Sequence, residues 1–186
     1  MKKKIICISV IMVLLIIWFF RVVVVFNRYT QPEIKEIDIG GKFTAHGITY
    51  KYESMDMYDF EGIMKEYNLN QDEMLFGSSL NTYEKKYYVI KYTITIEDEN
   101  YYYDMSDFGY INRYSSGYHH EIPFIYALNG GTEIEMEKGE SGTFYMVITL
   151  IDYEYTEKTF EELSLDDMII LFYDRETGVE YRMEAK

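Results

Sequence analysis

Six tyrosines (Tyr101, Tyr102, Tyr103, Tyr110, Tyr114 and Tyr118) fall between Glu99 and His120, interleaved with Ser106, Gly109, Asn112, Ser115, Ser116 and Gly117. Tyrosine among small polar residues is a recognition-loop composition, because the ring gives wide amphipathic contact at low entropic cost. The competing reading is that the same rings line strand faces, in a chain with 21 tyrosines. Glu97, Asp98, Glu99, Asp104 and Asp107 crowd the start of this segment. Hard oxygen ligands suit calcium, but the spacing does not follow a D-x-[DN]-x-[DN]-G loop, so a solvated acidic turn is the better account. His119-His120-Glu121 is the only histidine cluster, and His46 stands alone before Gly47. Neighbouring strand residues point to opposite faces, so the two imidazoles make a poor zinc pair. Gly139-Glu140-Ser141-Gly142 is not G-x-S-x-G and precedes a strand rather than a helix. No Gly-rich phosphate loop is present, the only cysteine is Cys7 in the apolar N-terminal run, and carboxylate pairs discriminate nothing among 32 acids. The sequence therefore assigns no catalytic, cofactor or metal residue. Its one candidate recognition surface is the set of six tyrosines.

The elements that must position these residues are mostly strands. Lys85 to Asp98 alternates Tyr88, Ile90, Tyr92, Ile94 and Ile96 with Lys91, Thr93, Thr95 and Glu97, the period of a sheet with one wet face. Thr143 to Ile151 places Phe144, Met146, Ile148 and Leu150 on one side, after a turn at residues 139–142. Met168 to Tyr173 is apolar on both faces and predicts a central strand; Arg175-Glu176-Thr177-Gly178 turns it into Val179, Tyr181 and Met183. Lys42 to Ala45 and Ile48 to Tyr58 predict two strands around a His46-Gly47 turn. Phe108 to Arg113, Ile122 to Leu128 and Thr132 to Met136 are weaker strand candidates. Phe60, Ile63, Met64 and Tyr67 follow helical spacing behind an Asp59 cap, and Thr159-x-x-Glu162 reads as a capping box for one helical turn. Seven to nine strands without regular βαβ alternation predict an all-β, antiparallel, immunoglobulin-like sandwich with short helical insertions, preceded by one transmembrane helix.

That helix is expected over residues 5–26, behind a basic N-terminus at residues 1–4. Twenty-two helical residues reach about 33 Å, close to the ~30 Å hydrocarbon core. Arg21 lies near the far end beside Trp18, Phe19, Phe20 and Phe26, an interfacial arrangement. The exit Val22-Val23-Val24-Val25-Phe26-Asn27 lacks a small-residue cleavage site, which favours an anchor over a cleaved signal peptide. Lys2, Lys3 and Lys4 predict a cytoplasmic N-terminus and an extracytoplasmic C-terminal domain. A linker is expected at 27–41 and the sandwich at 42–186. Setting aside Lys2, Lys3, Lys4 and Arg21 leaves 14 Lys+Arg against 32 Asp+Glu, a formal −18 for residues 27–186. Such a domain repels phosphate backbones and anionic headgroups, which argues against nucleic-acid binding or peripheral membrane docking by the domain itself. With 48% hydrophobic residues and two prolines the acidity does not imply disorder. A cysteine-free exported domain, Cys7 aside, fits a bacterial protein.

In its order of parts the chain resembles membrane-anchored extracytoplasmic bacterial proteins with one immunoglobulin-like domain of unknown function. The resemblance rests on Lys86–Thr95, on Lys138-Gly139-Glu140-Ser141 entering the strand at Phe144, and on the hairpin from Ile170–Asp174 through Thr177-Gly178 to Tyr181. The Cys…Trp…Cys pattern of true immunoglobulin domains is missing, since the only tryptophan is in the apolar segment. The resemblance implies a fold and no activity. The expected function is a tethered binding module, presenting loops or an edge strand to another envelope protein or extracellular ligand. The alternatives are an accessory subunit of a membrane complex and, less supported, an envelope hydrolase.

Overall fold

Period-two alternation builds the longest elements, and the computed structural model describes residues 12–22, 24, 32–70 and 84–185. The chain divides into Met1–Glu33 and Ile34–Lys186. In the first unit residues 12–22 are helical. Among the described residues no helix is long and apolar enough to cross a membrane; residues 5–11, 23, 25 and 26 of the expected span lie outside them.

Nine strands are found among the described residues: β1 (Glu33–Ile37), β2 (Lys42–Ala45), β3 (Ile48–Tyr58), β4 (Lys85–Ile96), β5 (Phe108–Ile111), β6 (Ser116–Gly117), β7 (Ser141–Ile151), β8 (Ile169–Asp174) and β9 (Val179–Glu184). Short helices α1 (Phe60–Glu66), α2 (Ile122–Asn129) and α3 (Glu157–Glu162) interrupt them. The protein is thus mostly β, in two sheets ordered β1-β9-β8-β5-β6 and β2-β3-β4-β7. Within the second sheet Tyr52 pairs with Tyr92 and Tyr92 with Phe144. A register shift between Tyr52 and Ser54 turns both Tyr52 and Met55 inward. In the first sheet Phe108, Phe172 and Tyr181 form one cross-strand row. The two inner faces interlock through rings: Phe43 lies 5.0 Å from Phe172 and 4.5 Å from Tyr181, and Tyr50 meets Phe108 edge-on at 5.9 Å. Each such pair adds about 0.5–1.5 kcal/mol beyond its burial.

The outer face of the second sheet is wet at Lys91, Thr93 and Thr95 but covered at Tyr87 and Val89. There Phe124 of α2 packs edge-on against Tyr87 at 5.0 Å, and Phe60 of α1 lies 6.1 Å from Phe124. Asp59 caps α1 as its spacing predicts, its Oδ1 accepting from Gly62 N at 2.6 Å.

Several expectations change. Residues 122–129 are a helix, not a strand: Pro123 stands in the first turn and Gly130 closes the end at φ 75°. An eight-residue apolar run satisfies either period, and the flanking Pro and Gly decide. Among the described residues, 132–136 pair with no strand, although Glu133 and Glu135 are exposed between half-buried neighbours. β1 takes residues 33–37 of the expected linker into a sheet beside β9. β8 is central as expected, but only one face is buried, with Tyr173 exposed. The cap of α3 is Thr156, accepting from Thr159 N, three residues before the expected box.

Candidate functional site

Four connections meet at one end of the second unit. The β2–β3 turn is the two-residue His46-Gly47, and both residues have positive φ, 53° and 75°, as a type I′ hairpin turn requires. Gly47 has a second constraint, since a Cβ there would lie 2.9 Å from Asp98 Cβ and 3.1 Å from Tyr101 Cβ. The β4–β5 connection is tied to this turn by Glu97 N to Gly47 O at 2.8 Å and Tyr102 N to His46 O at 3.2 Å. The α2–β7 connection joins through Gly139 N to Ile96 O at 2.8 Å, and the β8–β9 turn through Arg175 Nη2 to Ser106 Oγ at 2.7 Å.

A buried polar network fastens three of these loops. Asp104 Oδ1 accepts from Ser106 N at 2.8 Å, capping a single 3-10 turn over Met105–Asp107 that turns Asp107 inward. Asp107 Oδ2 then lies 3.2 Å from His46 Nε2, and its Oδ1 lies 3.1 Å from Arg175 Nε. The side chains of His46 and Asp107 are only 1% and 2% exposed, whereas Arg175 reaches water. A carboxylate facing Nε2 selects the imidazole form that carries its proton there. Burial pushes the Asp107 carboxyl above its ordinary pKa, against the opposing pull of Arg175 and His46. Asp104 is held below its ordinary value, chiefly by its hydrogen bonds from Ser106. Asp174 also falls low: burial opposes this, but hydrogen bonds from Thr177 and Glu176 prevail. The Tyr102 ring covers His46, with centroids 4.1 Å apart.

Two clefts open beside this network. One, about 460 Å³, lies between Tyr101–Met105 and residues 132–134. The other, about 380 Å³, lies between residues 129–136 and the start of β7 at Thr143 and Phe144. The wall between them is pinned by Tyr101, whose hydroxyl donates to Ile134 O at 2.8 Å and accepts from Met136 N at 3.1 Å.

The six tyrosines therefore do not form one surface. Tyr101 is a brace. Tyr102 is 44% exposed over His46 and faces the larger cleft. Tyr103 turns inward, edge-on to Phe144 at 5.0 Å, and burial pushes its hydroxyl pKa well up. Tyr110 is 2% exposed in β5. Tyr114 is bonded to Glu162 Oε2 at 3.3 Å. Tyr118 is 62% exposed, with its ring laid on Gly109, where a Cβ would meet Cε1 at 2.9 Å. Replacing residues 101–103 together would remove a brace and a half-buried ring packed against the core along with the exposed one.

The other candidates separate as well. Asp98 Oδ1 accepts from Asn100 N at 2.8 Å, and Asp104 and Asp107 serve the contacts above. His120 Nε2 donates to Phe108 O at 3.0 Å, whereas His119 Nδ1 lies 3.3 Å from Glu154 Oε2. Among the described residues no group of three or more His, Cys, Asp or Glu side chains is placed to hold a metal ion. Sequence spacing missed the His46–Asp107–Arg175 network entirely. The only available signal was a histidine, rather than Asn or Gly, in the turn before Gly47.

No protein-family model matches the chain, and no curated protein matches it. Among solved structures it is similar to the yjhA protein from Bacillus subtilis, with 9% identity and a TM-score of 0.44, over 80% of this chain and 98% of that one. At that distance the likeness assigns neither family nor activity.

Proposed function

We propose that the chain is a membrane-tethered, extracytoplasmic binding module that recognises another envelope protein or an extracellular ligand through the loop end just described. Residues 5–26 are the tether, with Lys2, Lys3 and Lys4 on the cytoplasmic side. The two face-to-face sheets are compatible with an immunoglobulin-like sandwich, in which loops clustered at one end are the usual recognition surface. The observation that carries the reading is the position of Tyr102. It is an exposed ring on a buried, hydrogen-bonded support, at the mouth of a cleft of about 460 Å³. Rigid support of an amphipathic ring lowers the entropic cost of binding.

The test uses the full chain in its own membrane. Carbonate-washed membranes should retain it, and protease added to intact cells should remove residues 34–186. In-cell crosslinking with mass spectrometry should recover a partner from wild type and lose it with Tyr102→Ala. Cytosolic full-length protein, or an unchanged set of partners in the Tyr102→Ala cells, counts against the reading.

A further inference from the structure

We propose that the open start of β7 takes an extended peptide bearing basic side chains as an added strand. The inference rests on the binding-module reading and names the edge and the chemistry of the partner. Along an antiparallel strand, successive residues direct their N–H and C=O groups to opposite sides. Glu140 O accepts from Ile96 N at 3.0 Å, so even-numbered positions at this end face β4 and odd ones face away.

The odd positions are already taken along most of the strand. Thr149 N donates to His119 O at 2.9 Å, and Val147 O accepts from Glu121 N at 2.9 Å. At Tyr145 a side chain imitates a peptide: Tyr145 N donates to Asn129 Oδ1 and Asn129 Nδ2 donates to Tyr145 O, both at 2.8 Å. Among the described residues these surrogate partners end there. Thr143 and Ser141 continue the same edge and are exposed.

Beside Thr143 lies the cleft of about 380 Å³, and its far wall carries the exposed Glu133 and Glu135. A peptide strand in this slot would exchange backbone hydrogen bonds with Thr143 and Ser141, the strand-addition mode in which main-chain bonds give affinity and side chains give specificity. Charge selects the occupant. The connection from Gly130 to Glu140 holds Glu133, Glu135, Glu137 and Glu140 against Lys138 alone, in a region of formal charge −18. An acidic peptide is repelled and a basic one is steered in.

The probe is a fluorescein-labelled, end-capped pentapeptide alternating lysine and valine. Its binding to the full chain in detergent micelles is followed by anisotropy. Saturable binding is expected. One of two N-methylated versions, methylated at the valines or at the lysines, should bind at least tenfold more weakly than the other, because only one set of amides faces β7. Thr143→Pro should weaken the parent peptide at least tenfold, since its N–H points away from the ladder and proline is tolerated on edge strands. Should that variant unfold by circular dichroism, the exposed Glu133→Lys and Glu135→Lys pair must show the same loss. Absence of saturable binding, equal binding of both N-methylated versions, or wild-type affinity in these variants overturns the inference. In cells, a partner lost with Tyr102→Ala but kept with Thr143→Pro also overturns it while leaving the binding-module reading standing.

Discussion

Asp107→Ala should destabilise the second unit by about 3 kcal/mol, a figure that follows from what the carboxylate holds. His46 is 1% exposed, and its Nε2 proton has Asp107 Oδ2 at 3.2 Å, with the Tyr102 hydroxyl at the outer limit of a hydrogen bond, 3.5 Å. Leaving a buried donor without an acceptor costs about 1–3 kcal/mol. Arg175 is 56% exposed and can turn its guanidinium to water, so its lost pair adds at most about 1 kcal/mol. Each kcal/mol lowers the melting temperature of a domain this size by roughly 2–4 °C, which predicts a fall of about 6–12 °C. Asp107→Asn keeps an acceptor for His46 and should cost only about 1 kcal/mol. Its cost should also depend on pH. Burial holds the Asp107 carboxyl above its ordinary pKa of 3.8. A raised folded value stabilises fully below the unfolded value, and that contribution is lost as pH rises through the folded one. The gap between wild type and Asp107→Asn should therefore narrow as pH is raised from about 4. Thermal unfolding of the full chain in detergent, read by far-UV circular dichroism at several pH values, measures all three proteins. An Asp107→Ala loss below about 1 kcal/mol, or one equal to that of Asp107→Asn, would refute the fastening role.

Two further predictions concern the edge of β7 and a half-buried imidazole. Asn129 makes both hydrogen bonds to Tyr145 and a third to Ile125 O at 2.9 Å; Asn129→Ala should cost about 2 kcal/mol and uncover an edge that self-associates with rising concentration. Light scattering that finds the same mass at every concentration, with unchanged melting, would contradict this. His120 is half-buried with its pKa pushed below the ordinary 6.5, by desolvation first and against the pull of its bond to Phe108 O. The unfolded chain then takes the proton first, so this contribution is present above pH 6.5 and is lost as pH falls to the folded value. His120→Gln should remove that slope, and parallel melting curves for the two proteins between about pH 5 and 7 would rule it out.

Much of the scaffold was legible because it depends on local chemistry. Tyr88 to Ile96 in β4, Phe144 to Leu150 in β7 and Val179 to Met183 in β9 alternate as water and a core demand, and each is a strand with that face inward. Asp59 and the 175–178 turn act within a few residues of themselves, so spacing found them. Residues 122–129 were misread because a short apolar run carries both periods. β1 was missed as a strand of the sheet because a charged edge strand looks like a linker until a neighbour pairs with it.

What only the tertiary structure decided is which side chains share a place. Composition marked six tyrosines as alike, yet packing made Tyr101 a brace, Tyr110 part of the core, Tyr103 a half-buried ring packed against it, and Tyr102 an exposed ring over His46. The same packing brought His46, Asp107 and Arg175 together from three separate connections. Alternation along a strand is enforced by the covalent pleat and by water, both present wherever the chain is extended. Contacts between loops exist only after two sheets have closed over a common core, and nothing in the spacing of the residues encodes that closure.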